Sequence, residues 1–407
     1  MRDLRLGVIG YGERARHMAK TMLQQDSSAR LAAIADPRSA ALKQQIIAED
    51  ASLADGLTFY NSADEMLDIE ALDGVIIGTR CSLHASMGLK VLKRNIALFL
   101  EKPIATTMED LLALKAAANE RVVVSFPLRV SALVQLASGI IASGKIGTVE
   151  HVQAWCNVPY GAVYYQSWYR DESETHGMFL QKASHDFDYI NYLLKGNRPT
   201  TICAMKSKQV FRGNHRAGLH CSECTERQTC FESPYHSSKE APLALDMPSK
   251  EMCAFAVDTG NEDSGSALIQ YESGLHVSYS QNFYSRNKSA ARGARLIGYL
   301  GTIEFDWFTN KLQVMYHQEG RVETHEFEES NDHGGGDRML AVNFLQVARR
   351  QAPSISSMQD GLINGLQCLK ATESANTHRF EKIEFPNPVQ NIEVRNGSGL
   401  VVPKLEV

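Results

Sequence analysis

At 407 residues the chain exceeds the roughly 250–300 at which one hydrophobic core usually divides, so two domains are expected. Hydrophobic residues make up 43% and charged residues 22%, which describes a globular protein and excludes a disordered one. With 42 Lys plus Arg against 47 Asp plus Glu the formal net charge is -5, so there is no basic excess to neutralise a nucleic-acid backbone, and no run nears the ~20 apolar residues of a membrane span.

The first 120 or so residues alternate short apolar runs with helical periods. Leu4–Ile9 reads as a buried strand, and Ala15, Met18, Ala19, Met22 and Leu23 recur at the spacing of a helix with one buried face. Leu31–Ala35, Gly74–Ile77, Ile96–Leu100 and Val122–Phe126 read as further strands, with helices over His84–Leu92 and Met108–Ala118. Continuous apolar strands alternating with helices predict a doubly wound parallel sheet covered on both faces. The expected first domain is residues 1–124. From 125 to 407 the texture changes. A helix over Leu133–Ser143 is followed by closely spaced strands at Ala267–Tyr271, Leu275–Ser280, Ala294–Ile297 and Lys311–Tyr316. These predict a second, α+β domain with a mostly antiparallel sheet, against one face of which helices near Phe179–Leu194 and Leu340–Arg350 are expected to pack.

Gly10-Tyr11-Gly12-Glu13-Arg14-Ala15 joins the first strand to the first helix. Gly10 permits the tight turn, Gly12 admits a pyrophosphate close to the backbone, and Ala15 lets helix and strand approach. The phosphates are then expected to face the helix N-terminus. Asp36 ends the second strand 24 residues after Gly12, where a carboxylate accepts from a ribose diol and repels a 2′-phosphate. The expected cofactor is NAD. Arg38 is placed to pair with a 2′-phosphate and keeps NADP possible.

Glu101-Lys102-Pro103-Ile104-Ala105, after that glycine turn, resembles the glucose–fructose oxidoreductase, inositol dehydrogenase and MocA family. Gly78-Thr79 through His84 is similar to the family's loop beside the nicotinamide ribose. Gly144-Lys145-Ile146-Gly147 is similar to its turn into the second domain, and His185 through Asp188 to its catalytic helix. The resemblance implies a Rossmann domain followed by a domain with a large open sheet, in a homodimer or homotetramer. It also implies hydride transfer between NAD(P) and a sugar, inositol or related polyol.

Lys102, at the carboxyl end of a strand, is suited to steady the oxygen of the reacting hydroxyl, with Glu101 as its neighbour's local partner. His185 has the chemistry of the base. The family's usual aspartate four residues earlier is Gln181 here, and Lys182 is expected to keep His185 neutral by like-charge repulsion, with Asp188 compensating. Arg129, Tyr165, Trp168 and Arg170 are further candidates for the substrate pocket, as are Lys182, Asp188, His333 and His176. Asp337 reads as a helix N-cap. Two other readings on this scaffold are a glycosidase that oxidises and re-reduces its substrate with tightly held NAD, and a non-catalytic NAD-bound sugar sensor.

Cys221, Cys224 and Cys230 lie in an excursion at about 213–250. The Cys-x2-Cys spacing suits structural zinc, with free thiols or a reversible disulfide as alternatives. Eight cysteines over this length are no disulfide scaffold, and the strand starting at Leu4 leaves no room for a signal peptide. A cytoplasmic location is the expectation.

Overall fold

A computed structural model describes residues 3–49, 56–236, 251–328 and 333–386. The first sheet is built from β1 (Leu4–Ile9), β2 (Ala29–Ala35), β3 (Thr58–Tyr60), β4 (Gly74–Ile77), β5 (Ala97–Leu100) and β6 (Val122–Val124). All pairs are parallel, in the order β3-β2-β1-β4-β5-β6. Every residue of β4, β5 and β6 is buried, as strands must be when helices cover both faces. Those helices include α1 (Glu13–Gln25), α2 (Ser39–Glu49), α3 (Ala63–Ile69), α4 (His84–Leu92) and α5 (Met108–Ala117). The chain order reverses between β1 and β4, which opens a crevice at the carboxyl ends of the strands.

The second sheet comprises β7 (Val149–Asn157), β8 (Pro199–Ser207), β9 (Ser264–Tyr271), β10 (His276–Asn282), β11 (Ala291–Gly298), β12 (Gly301–Asp306), β13 (Lys311–Tyr316), β14 (Val322–Glu326) and β15 (Glu381–Lys382). Its order is β14-β13-β12-β11-β7-β10-β9-β8-β15. It is antiparallel except where β10 runs parallel to β7, from His276 opposite His151 to Asn282 opposite Asn157. Buried and exposed residues alternate along β9 and β13, the mark of a sheet covered on one face. In the chain, α6 (Ala132–Ala142) connects the two sheets, α7 (Val163–Gln166), α8 (Glu172–Thr175) and α9 (Ser184–Leu193) lie between β7 and β8, and α10 (Gly336–Ala348) and α11 (Met358–Thr377) follow β14.

Two elements depart from expectation. Helix α10 packs on the first sheet, not the second. Phe344 meets Phe99 edge-on at 5.6 Å, and Leu340, Ala341 and Val347 join the core beneath β1 and β5. Gly74 makes room for it, since a Cβ there would come within 2.8 Å of the Phe344 ring. Residues Phe179–Ala183, expected to be α-helical, form a π-helical turn that runs into α9, a local widening that recurs at functional sites.

Candidate active site

Because β1, β4 and β5 are neighbours, the turns that follow them converge. Gly10 has φ +77°, and a Cβ on it would sit 2.6 Å from Thr79 Cγ2 and 2.9 Å from Thr79 Cα. A Cβ on Gly78 would fall 2.5 Å from that of Ala15, so α1 lies directly against the end of β4. Gly12 precedes α1 and brings no capping side chain, which leaves the helix N-terminus available to a pyrophosphate. This close approach of turn, helix and strand, which a Cβ at Gly10 or Gly78 would block, fits a dinucleotide. Gly10→Ala forces a left-handed backbone onto a Cβ and closes the turn on Thr79. It is expected to weaken NAD uptake on the order of tenfold, as read by calorimetry.

Asp36 is only 5% exposed. Its Oδ2 accepts from the Tyr11 N–H at 3.1 Å, and its Oδ1 accepts from Arg38 N–H at 2.9 Å and Arg38 Nε at 3.2 Å. Glu13 opens α1 at its exposed start. Arg14, grouped with the nucleotide turn from sequence, is a cross-brace. Its Nε donates to Glu101 at 2.9 Å, and Nη1 and Nη2 donate to the two oxygens of Asp337 in α10. His84 is likewise internal. Its ring nitrogens contact Pro103 O at 2.8 Å and Thr79 O at 3.2 Å, tying the Thr79 loop to the Glu-Lys-Pro segment.

The Lys102 Nζ donates to the Gln181 carbonyl at 2.6 Å, which joins the nucleotide domain to the π turn before α9. Burial brings its pKa down to about 8, assisted by Lys182 and Arg292 and opposed by Cys81 and Glu101. His185 is held well below the usual histidine value by burial first, then by the positive charge of Lys102, Arg292, His333 and Lys182. Gln181 turns its Oε1 to Cys81 Sγ at 3.2 Å, and His185 Nδ1 is buried with no hydrogen-bond partner. The ring of His333 lies 6.0 Å from that of His185, and its Nδ1 is 2.9 Å from Asp337 Oδ2. Asp337 is in the first turn of α10, whose N-cap is Gly335. Lys182 donates to Tyr160 OH at 2.7 Å. Burial opposes its charge, yet the phenols of Tyr160 and Tyr164 keep its pKa above that of an ordinary lysine.

Other candidates are placed elsewhere. Arg129 and Asp188 are buried against each other, with Nε to Oδ2 at 3.0 Å and a second bond from Nη2. Asp188 is one turn further along α9 than His185 and meets Arg129 rather than the pocket, so it does not compensate His185. Tyr165 is wholly buried, stacked on Phe211 at 4.2 Å and donating to Glu262 O at 2.6 Å. Arg170 is held by Cys253 O and Thr259. Trp168 is half-buried, stacked on Tyr169 and under the Arg80 guanidinium, 3.9 Å from its ring, next to the Thr79 loop. His176 lines a separate cleft of about 490 Å³ with Glu172, Lys206 and Glu373.

The expected zinc site is not formed. Among the described residues no three His, Cys, Asp or Glu side chains are placed to hold a metal ion. The short helical turn Cys221–Glu223 sends Cys221 inward, where its sulfur contacts Gln166 Nε2 and Met252 O, each at 3.8 Å, while Cys224 and Cys230 remain part-exposed. Residues 237–250 of the excursion lie outside the described residues.

Sequence reading passed over Arg292. It lies on β11 in phase with the buried Ala294 and Leu296, so the available signal was an arginine at an inward position of an alternating strand. Its Nε donates to Asp186 at 2.8 Å.

Burial also keeps His84 and His333 below the usual 6.5. Below pH 6.5 the unfolded chain therefore takes up protons at three imidazoles that the folded chain refuses. Asp188, raised by burial to about 6, acts in the opposite sense, whereas Asp337, held low by Arg14 despite its burial, adds to the loss only below about pH 5, where an unfolded carboxyl begins to protonate. The expected outcome is a melting temperature that falls from pH 7 to pH 5; a flat or rising curve by calorimetry contradicts it.

A dinucleotide cradle opposite a lysine and a neutral histidine defines the class: an NAD-binding oxidoreductase. The family model described as "Oxidoreductase family, NAD-binding Rossmann fold" matches residues 4–127, and that described as "GFO/IDH/MocA C-terminal domain" matches 134–304. The chain belongs to the GFO/IDH/MocA oxidoreductase family. It is 27% identical to the oxidoreductase YteT of Bacillus subtilis over 68% of this chain and 73% of that one. It is 25% identical to the scyllo-inositol 2-dehydrogenase (NAD(+)) of the same organism, over 47% of this chain and 54% of that one. A levoglucosan dehydrogenase solved with NADH and levoglucosan shares the fold with a TM-score of 0.72 at 18% identity, covering 93% of this chain and 98% of that one. Among the described residues no helix is long and apolar enough to cross a membrane.

Proposed function

We propose that this protein is an NAD-dependent dehydrogenase that moves a hydride between nicotinamide and a secondary hydroxyl of a sugar, inositol or related polyol. The observation that carries the reading is the convergence of Lys102, at the end of β5, with His185, on α9, beside the cradle at Gly10 and Gly12. When bound, the nicotinamide ring supplies a hydride acceptor or donor. Lys102 binds the reacting oxygen through its ammonium and stabilises the charge that develops on it. His185, kept neutral by burial and by the cations around it, receives the hydroxyl proton on a ring nitrogen, and Nδ1 is the one left without a partner. Among the described residues no carboxylate is hydrogen-bonded to that Nδ1, and Gln181 is engaged by Cys81. Tyr11, Gly12, Thr79 and Asp36 would line the nucleotide. The buried Asp36 carboxylate favours the ribose diol of NAD, and the exposed Arg38 beside it is the route to accepting NADP.

The names of relatives support the substrate class: inositol 2-dehydrogenase of Rhizobium meliloti and 1,5-anhydro-D-fructose reductase of Ensifer adhaerens. Homo-oligomerisation through the open face of the second sheet is part of this reading, supported by Met205 and Leu268, which stand 70% and 53% exposed on the adjacent strands β8 and β9.

The test is a spectrophotometric screen of sugars, inositols, aminosugars and glycosides with NAD and with NADP separately. Reduction of NAD by at least one polyol, abolished in His185→Asn, is the expected result. Free sugar released from a glycoside with no net NADH points instead to transient oxidation followed by elimination. Full cofactor occupancy with no turnover on any compound points to a sensor.

A further inference from the structure

Among the described residues, buried donors near His185 are left without acceptors. Arg292, 8% exposed, gives its Nε to Asp186, and Asp186 receives Tyr279 OH at 2.9 Å on its other oxygen. The Arg292 Nη2 is buried with no partner. Trp307 lies beside it, its backbone N–H donating to Arg292 O at 2.8 Å, and its Nε1 is also buried and unpartnered. Lys182, 4% exposed, donates to the Tyr160 OH and lies over the Tyr160 and Tyr164 rings at 4.9 and 5.8 Å, with no carboxylate paired to its ammonium among the described residues. A buried guanidinium N–H and a buried ammonium without a carboxylate are costly arrangements unless a ligand completes them.

The sign of the charge narrows what that ligand is. Lys182 and Arg292 are cationic, and Asp186 neutralises one of them. Asp337, the nearest carboxylate on α10, is bound by Arg14 and His333. A neutral polyol would fill the donors and leave one buried positive charge uncompensated, whereas a single carboxylate satisfies both donors and charge through charge-assisted hydrogen bonds. Lys102 gives one N–H to the Gln181 carbonyl and has two more for the reacting oxygen.

We propose that the substrate is an acidic sugar, a ring bearing one carboxylate, which Arg292 Nη2 and Lys182 Nζ receive while the hydroxyl to be oxidised lies at Lys102 and His185. This rests on the dehydrogenase reading above and specifies its substrate.

The experiment is calorimetry on the NADH-loaded protein, titrated with D-glucuronate and D-galacturonate, with D-glucose and D-galactose as neutral counterparts and glucose 6-phosphate as a dianion. NADH uptake is recorded first. The expected result is that at least one hexuronate binds about tenfold or more tightly than its neutral ring. In Arg292→Gln that difference disappears because the acid's affinity falls, and Lys182→Met, which leaves the Arg292–Asp186 pair in place, reduces it in the same direction. Equal or tighter binding of the neutral sugars overturns the proposal, as does preference for the phosphate, no saturable binding of either acid, or an acid preference that survives both substitutions. Failure to take up NADH overturns the dehydrogenase reading together with this one, whereas uptake with neutral preference overturns the acid alone.

Discussion

Replacing Lys102 with methionine is expected to lower kcat by about 10²–10⁴ while NADH still binds, because the side chain leaves the nucleotide cradle untouched and removes the ammonium at the reacting oxygen. The pH profile carries the more specific expectation. Burial lowers the Lys102 pKa to about 8, so the ammonium is present at neutral pH and lost as pH rises through that value. His185, well below the ordinary histidine value, stays neutral down to moderately acid pH. The profile of kcat/KM is therefore expected to be level from about pH 6.5 to 7.5 and to fall above about 8. Lys102→Arg, whose guanidinium does not deprotonate in this range, should move that fall to higher pH. A profile that rises through pH 8 would falsify the assignment and make the neutral amine of Lys102 the base.

Arg129→Met is expected to destabilise the fold by about 3–5 kcal/mol, the usual consequence of leaving one partner of a buried ion pair alone. Arg129 and Asp188 are 3% and 1% exposed, and Arg129 also reaches Ile355 O at 3.3 Å and Asp360 at 3.0 Å. Loss of the arginine thus loosens the join between the turn at Pro127–Val130, α9 and the start of α11. Asp188 already titrates near 6 because of its burial, and without its cation it should protonate more readily still. The defect is therefore expected to be larger at pH 8 than at pH 5.5, where the isolated carboxyl can be neutral. Combining Arg129→Met with Asp188→Leu should recover most of the loss, since an apolar pair of similar volume no longer buries a charge. Chemical denaturation at the two pH values measures both effects, and a single substitution costing under about 1 kcal/mol would show the pair to be no different from a surface contact.

The motif residues of the first sheet were legible because they sit in a local code. Gly10, Gly12 and Ala15 are constrained by a turn of six residues, and Asp36 and Lys102 each follow a strand whose apolar run marks its own end. The alternation of β9, β10 and β13 was equally plain, as the period of two is a property of adjacent residues. The partners of charged side chains were not legible. Arg14 reads as a cofactor contact until α10, more than three hundred residues later, brings Asp337 to it. Tyr165, Asp188 and Arg129 carry chemistry suited to a pocket and are buried in the interior instead.

Helix α11 shows the same limit at the level of an element. Its 20 residues include Gly361, Asn364 and Gly365, poor helix formers, and the pattern of the chain gave it no notice. The glycines are there because the helix packs tightly. A Cβ at 361 would meet Val124 at 3.0 Å, and one at 365 would meet Leu111 at 2.9 Å. Sequence alone determined the nucleotide turn and the strand types, and pointed to Lys102 and His185 through a family resemblance. Tertiary structure decided which charges face that histidine and which are neutralised elsewhere. Turns and strands are set by the steric preferences of neighbouring residues, whereas a buried charge is settled by whatever distant segment the fold brings against it.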